Sequence, residues 1–213
     1  MRMAFAQMPG VYCHGEVLAL KQPIGFFKMP EGAQQLRDTD AIRYYEATAI
    51  APYRVTGIKV LHFQMFSESN AGLVQHLIER EDVPVIHLWR RDLCARFLSG
   101  VNFRAARRPP PEPLVLTKGE MLQDFRNRIA HRNWAKQMFR HHDNVSVTFE
   151  DMTKSGEAAW PRIQALLREP VIPISLPNKQ SDRKDSYVNF VANADELRAF
   201  YDTVRSEFEA EAE

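Results

Sequence analysis

Val83-Pro84-Val85-Ile86-His87-Leu88-Trp89-Arg90-Arg91-Asp92-Leu93-Cys94-Ala95-Arg96-Phe97-Leu98-Ser99 passes from an apolar run rich in branched residues to two arginines and then to helical spacing. The pattern reads as a buried strand that ends in a cationic strand-to-helix corner. Such corners attract anions, because free backbone N–H groups and the positive end of the helix dipole converge there with any arginine present. Arg91 and Ser99 stand eight residues apart, about two helical turns. They can grip one ligand together only if the helix runs alongside it.

Upstream of this stretch, Ile58 to Phe63 reads as a strand and Ser67 to Arg80 as a helix with Leu73, Val74, Leu77 and Ile78 on one face. Strand, helix and strand in that order predict a βαβ unit with parallel pairing and a right-handed crossover. Downstream, the helix after Arg91 is expected to reach about Phe103. Arg107-Arg108-Pro109-Pro110-Pro111-Glu112-Pro113 then reads as a stiff, polyproline-like connector, placed at residues 104–118 and exposed.

Gly119 to His142 has the pattern of a long helix, with His131, His141 and His142 read as surface residues. Val145, Val147 and Phe149 alternate with Ser146 and Thr148, a third strand ending at Glu150-Asp151. Trp160, Ile163, Leu166 and Leu167 mark a further helix. Asn193 and Glu196 occupy N-cap and reciprocal capping positions before an apolar stripe of Leu197, Phe200, Tyr201, Val204 and Phe208. At the other end, Met1, Ala4, Phe5 and Met8 recur at helical spacing up to Pro9-Gly10, and a modest helix is expected near Ala41 to Ala49. The expected fold class is α/β, a mostly parallel sheet flanked by helices, in a single domain over residues 1–213.

Composition sets the limits on partners. With 28 basic and 27 acidic residues the formal net charge is +1, so no global field drives the chain toward nucleic acid or a membrane surface. Basic character is local: Arg90, Arg91, Arg96, Arg104, Arg107 and Arg108 face one acid, Asp92, between Trp89 and Arg108. Two cysteines, Cys13 and Cys94, make no disulfide framework and suit a reducing cytoplasm. Neither a signal peptide nor a membrane span is read from the sequence. Cys13-His14 beside Glu16 lacks a second His/Cys pair at ligand spacing, so no metal is expected.

Val83 to Ser99 resembles the segment of sulfotransferases that binds the 3′-phosphate of 3′-phosphoadenosine 5′-phosphosulfate (PAPS), with Arg91 and Ser99 at the matching positions. Pro9-Gly10-Val11-Tyr12-Cys13-His14-Gly15-Glu16 is similar to the segment that supplies the catalytic glutamate in tyrosylprotein and related sulfotransferases. Gly57-Ile58-Lys59 resembles the Gly-x-Lys strand of bacterial members, and Val145 to Met152 their strand ending in aromatic-Glu-Asp-apolar. Asn178-Lys179-Gln180, followed by Asn193-Ala194-Asp195-Glu196-Leu197, resembles the donor-contacting loop and closing helix. The resemblance covers residues 9 to 205 in the family's order.

It implies a P-loop-type sulfotransferase fold and sulfuryl transfer from PAPS to an acceptor hydroxyl. Glu16 is then the base, Lys59 a residue near the transfer, Arg91 and Ser99 the grip on the 3′-phosphate, and Lys179 a nucleotide contact. The family carries a glycine-rich phosphosulfate loop ahead of its glutamate, and none precedes Glu16 here. The expectation is a domain lacking its first strand and loop, through a start placed late, lost donor activation or a loop from another chain; the first is preferred. Two alternatives stay open, a catalytically silent nucleotide- or partner-binding relative and a nucleic-acid-binding module using the Arg90 to Arg108 patch. The acceptor class and self-association into a homo-oligomer are not readable from the residues.

Overall fold

The computed structural model describes residues 2–13, 39–49, 53–154, 159–174 and 190–210. Two pairs of parallel strands organise them. β1 (Val11–Cys13) pairs with β2 (Val55–Gly57), Val11 beside Val55 and Cys13 beside Gly57. β3 (Val85–Trp89) pairs with β4 (Asn144–Thr148), Val85 beside Asn144 and Trp89 beside Thr148. Parallel neighbours need a long crossover, and helices lie in both. Ahead of β1 lies α1 (Arg2–Phe5), and α2 (Ala41–Ala49) falls between β1 and β2. α5 (Leu93–Arg107) and α6 (Lys118–Met138) connect β3 to β4.

The α/β expectation therefore holds in its parallel pairing, but the neighbours differ. β2 and β3 were expected to pair; each takes another partner. The strand expected at Ile58 to Phe63 is displaced to Val55–Gly57, and α3 (His62–Met65) follows it. Ile58 and Val60 still bury apolar surface, against Tyr44, Leu73, Leu77 and Phe139, but from irregular backbone. A short apolar run satisfies the hydrophobic effect in either conformation. Here Gln64 fixes the outcome, accepting a hydrogen bond from the Leu61 N–H at 2.8 Å. α4 (Ala71–Glu79) lies within the expected helix, and Leu73, Val74 and Leu77 are buried on it.

β3 is less enclosed than its apolar run suggested, for His87 alone among its five residues is buried. β4 stops at Thr148, short of the expected end, because α7 (Phe149–Lys154) begins there with Glu150 and Asp151 in its first turn, where acids complement the helix dipole. α8 (Ala159–Leu166) then packs Trp160 and Ile163 against Phe5, Val11, Val145 and Val147. A second core joins α5 and α6 to α9 (Ala194–Ala210) through Phe97, Val101, Phe125, Leu197, Tyr201 and Phe208.

The proposed connector is shorter than expected. α5 continues four residues past Phe103, through good helix formers and with basic residues suited to its last turn. Leu114 bonds Phe190 and Ala192 through its backbone, at 2.6 and 2.8 Å. Asn193 does not cap α9 with its side chain. Its amide group accepts from the Leu116 N–H at 3.0 Å and donates to the Leu116 carbonyl at 2.8 Å, tying the entry of α6 to the entry of α9. Among the described residues no helix is long and apolar enough to cross a membrane.

His142, read as a surface residue, is buried. Its Nδ1 lies 2.9 Å from the Val83 carbonyl and its Nε2 3.1 Å from the Ile78 carbonyl in the last turn of α4. Helix-end carbonyls have no intrahelical donor, so the imidazole stitches α4, the start of β3 and the turn before β4 together. His142→Ala removes both contacts and leaves a cavity. Loss of about 2–4 kcal/mol is expected in denaturant unfolding, and a loss below about 0.5 kcal/mol would show that the stitch contributes little.

Candidate functional site

Parallel pairing sets the carboxyl ends of β3 and β4 side by side, and each strand turns there into a helix. In open α/β sheets this edge is where ligands bind. The α5 entry is capped by Asp92, which accepts from the Ala95 N–H at 2.7 Å. The free N–H groups ahead of it are met from the neighbouring corner. Glu150 accepts from the Arg91 N–H at 3.0 Å and from the Asp92 N–H at 3.3 Å. Arg90 Nε lies 3.7 Å from the same carboxylate, and its guanidinium lies 4.8 Å from the centre of the Phe149 ring.

Arg91 turns its guanidinium to the Asp151 carboxylate and donates to the Thr148 hydroxyl at 3.3 Å. The corner gathers negative charge as its sequence implied. Within the chain that charge comes from Glu150 and Asp151, about 60 positions away, a link that local pattern does not reveal. The Arg91 and Asp151 side chains remain 53% and 36% exposed. An ion pair this open contributes about 0–1 kcal/mol, so an incoming phosphate can take the guanidinium from Asp151 at small cost.

The sequence-derived site residues divide as follows. Arg91 sits at the corner, and Ser99 is exposed on α5, about 12 Å of helical rise further along. Lys59 follows β2 by two residues and is half-buried; it belongs to the other strand pair. Glu16 and Lys179 lie outside the described residues.

A basic and aromatic surround at the same end of β3 was not anticipated. The Arg132 guanidinium and the Lys136 ammonium each lie 4.9 Å from the centre of the Trp89 ring, within cation–π range. His131 and Trp134 pack on Phe66. Burial, followed by the charges of His131, Arg128 and Arg132, holds the His62 imidazole below its ordinary range. Burial, followed by His62, Lys136 and His142, pushes His87 down to about 4. The available signal was the spacing of Arg128, Arg132 and Lys136, which places three cations on one helix face. Among the described residues, no group of three or more His, Cys, Asp or Glu side chains is placed to hold a metal ion.

His87 makes acid stability testable. A histidine whose folded pKa lies below its unfolded value of about 6.5 leaves the unfolded chain with more bound protons between the two values. Stability is complete above about pH 6.5 and falls as the pH drops toward about 4. In denaturant unfolding across that window, His87→Leu is expected to make the acid decline shallower, and an unchanged slope would contradict the assignment.

Compared with protein-family models, with curated proteins and with solved structures, the chain matches none.

Proposed function

We propose that the chain is a PAPS-dependent sulfotransferase of the P-loop type, which holds the 3′-phosphate of the donor at the Arg91 corner and passes a sulfuryl group to an acceptor hydroxyl. The observation that carries this reading is the exposed Arg91 guanidinium at the carboxyl end of a parallel strand, opening a 15-residue helix with Ser99 exposed two turns along. Arg91 offers a planar fork of donors to a phosphate, and Ser99 adds a hydroxyl. Thr148 helps to orient the fork.

In the transfer, the acceptor oxygen bonds to sulfur as the bond from sulfur to the 5′-phosphate oxygen breaks. The acceptor proton passes to Glu16, and adenosine 3′,5′-bisphosphate leaves. Cations beside the leaving phosphate favour this charge movement; by resemblance Lys59 stands near the transfer, toward acceptor or donor, and Lys179 contacts the nucleotide. No metal is called for by this chemistry. The free thiols of Cys13 and Cys94 fit a reducing cytoplasm.

Titration calorimetry with adenosine 3′,5′-bisphosphate tests the grip. Arg91→Ala is expected to weaken binding at least about tenfold, the scale of a charge-assisted hydrogen bond. Arg107→Ala, which removes a guanidinium stacked on Phe103, should change binding less than about twofold. Asp151→Asn removes the carboxylate competing for Arg91 and should tighten binding. Equal losses for Arg91→Ala and Arg107→Ala would refute the assignment.

A further inference from the structure

Next to the Arg91 corner lies a cluster of guanidiniums that the donor site does not use. Arg96, Gly100 and Arg104 recur every four residues along α5, so they share a face, and that face meets Arg128 of α6. Arg90 joins from the end of β3. Asp124 is the acid among them, and Arg128 already engages it, with Nη2 to Oδ1 at 2.8 Å. The half-buried side chain of Arg96 makes no hydrogen bond or ion pair among the described residues. Burial, followed by Arg128 and then Arg90 and Arg104, holds its guanidinium below the usual arginine range, with Asp124 opposing. The Nε of Arg90 is buried without a hydrogen-bond partner, the Glu150 carboxylate standing 3.7 Å from it.

Two features give this cluster room for a ligand. Gly100 stands inside a helix, where alanine is the better former, and a Cβ there would lie 3.2 Å from Arg96 Nη1 and 3.9 Å from Arg104 Nη1. The glycine thus lets the guanidiniums lie close against α5. Beside them, a groove of about 540 Å³ opens between α5 and α6; of the four arginines Arg104 lines it, together with Asp124 and with Glu120, whose carboxylate is held by the Thr117 N–H and hydroxyl. Among the described residues these four guanidiniums share two engaged carboxylates, Glu150 at 3.7 Å from Arg90 Nε and Asp124 on Arg128, and the charge left over on Arg96 and Arg104 is repulsive in a partly desolvated setting. An anion relieves that repulsion.

We propose that Arg90, Arg96, Arg104 and Arg128 form a second anion site that takes a sulfate, phosphate or carboxylate group of the acceptor. The identification of its occupant as the acceptor rests on the sulfotransferase reading. The acceptor is then a hydroxyl compound that already bears negative charge, held by that charge beside the donor corner. Partial burial of Arg96 and Arg90 favours a discrete anionic group over an extended nucleic-acid backbone, which needs an open basic track.

Thermal unfolding and titration calorimetry on the full chain test the site, with glucose 6-sulfate, glucuronate and glucose as probes at ionic strength held constant by sodium chloride. The sulfate ester, the carboxylate or both should bind and raise Tm, and glucose should not; which of the two acts identifies the anionic group. Arg96→Gln is expected to weaken that binding at least about tenfold, yet to raise the Tm of the ligand-free chain because it removes one of four repelling charges. Gly100→Ala keeps the charge but shifts the guanidinium, and should weaken binding while the helix gains stability. A fall in the ligand-free Tm of Arg96→Gln, unchanged anion binding in both variants, or binding of a single-stranded oligonucleotide in place of the sugars would overturn the proposal. Adenosine 3′,5′-bisphosphate is titrated in parallel. Binding of the nucleotide through Arg91 without the anionic sugars defeats the second site alone. Binding of the sugars through Arg96 without the nucleotide leaves the anion site standing and defeats the sulfotransferase reading.

Discussion

A single carboxylate, that of Glu150, joins the two corners at the carboxyl edge of β3 and β4 by accepting hydrogen bonds from the Arg91 and Asp92 backbone N–H groups. Those donors stand where β3 gives way to α5, and the acceptor stands in the first turn of α7, just past β4. Hydrogen bonds to a charged group are worth about 1.5–3 kcal/mol each, more than an exposed ion pair supplies. The two corners are thereby fixed in relation to one another. The Arg91 side chain is left to face Asp151 and Thr148, and its exposure leaves it open to exchange.

Charge is distributed along this edge with a consistent logic. The chain as a whole is close to neutral, yet arginines concentrate at the carboxyl end of β3 and along the facing sides of α5 and α6. At the corner, chain carboxylates answer the cations. One helical turn further on, around Arg96, Asp124 is the acid that opposes the arginines among the described residues. The first arrangement orders a corner and the second leaves an attraction unmet. On the proposed reading, a donor nucleotide and a charged acceptor would draw on these two adjacent regions, and binding interactions away from the transferred group would bring the reactants together.

Much of the architecture could be read along the chain. The β3-to-α5 corner, the apolar stripe of α9 and the long α6 declare themselves through periodicity, since each buries one face against a core. Strand pairing was harder. Val55–Gly57 is too short to show an alternation, and the apolar run from Ile58 that looked like a strand is buried from irregular backbone. Nothing local states that β2 takes β1 as its neighbour. His142 was misplaced because its two carbonyl partners lie 59 and 64 residues away, and a lone histidine at a helix end has no pattern to betray burial. Arg96, Gly100 and Arg104 were visible at regular spacing, but their meaning depends on Arg128 across the groove. Of the site residues inferred by resemblance, Arg91 and Ser99 share α5 and its entry, while Lys59 follows a strand of the other pair.

The most direct test of the account is a crystal structure of the chain with adenosine 3′,5′-bisphosphate. The 3′-phosphate is predicted within about 3 Å of both the Arg91 guanidinium and the Ser99 hydroxyl, with Asp151 displaced and Glu150 still on the Arg91 and Asp92 N–H groups. A nucleotide bound elsewhere, with Arg91 still held by Asp151, would contradict it.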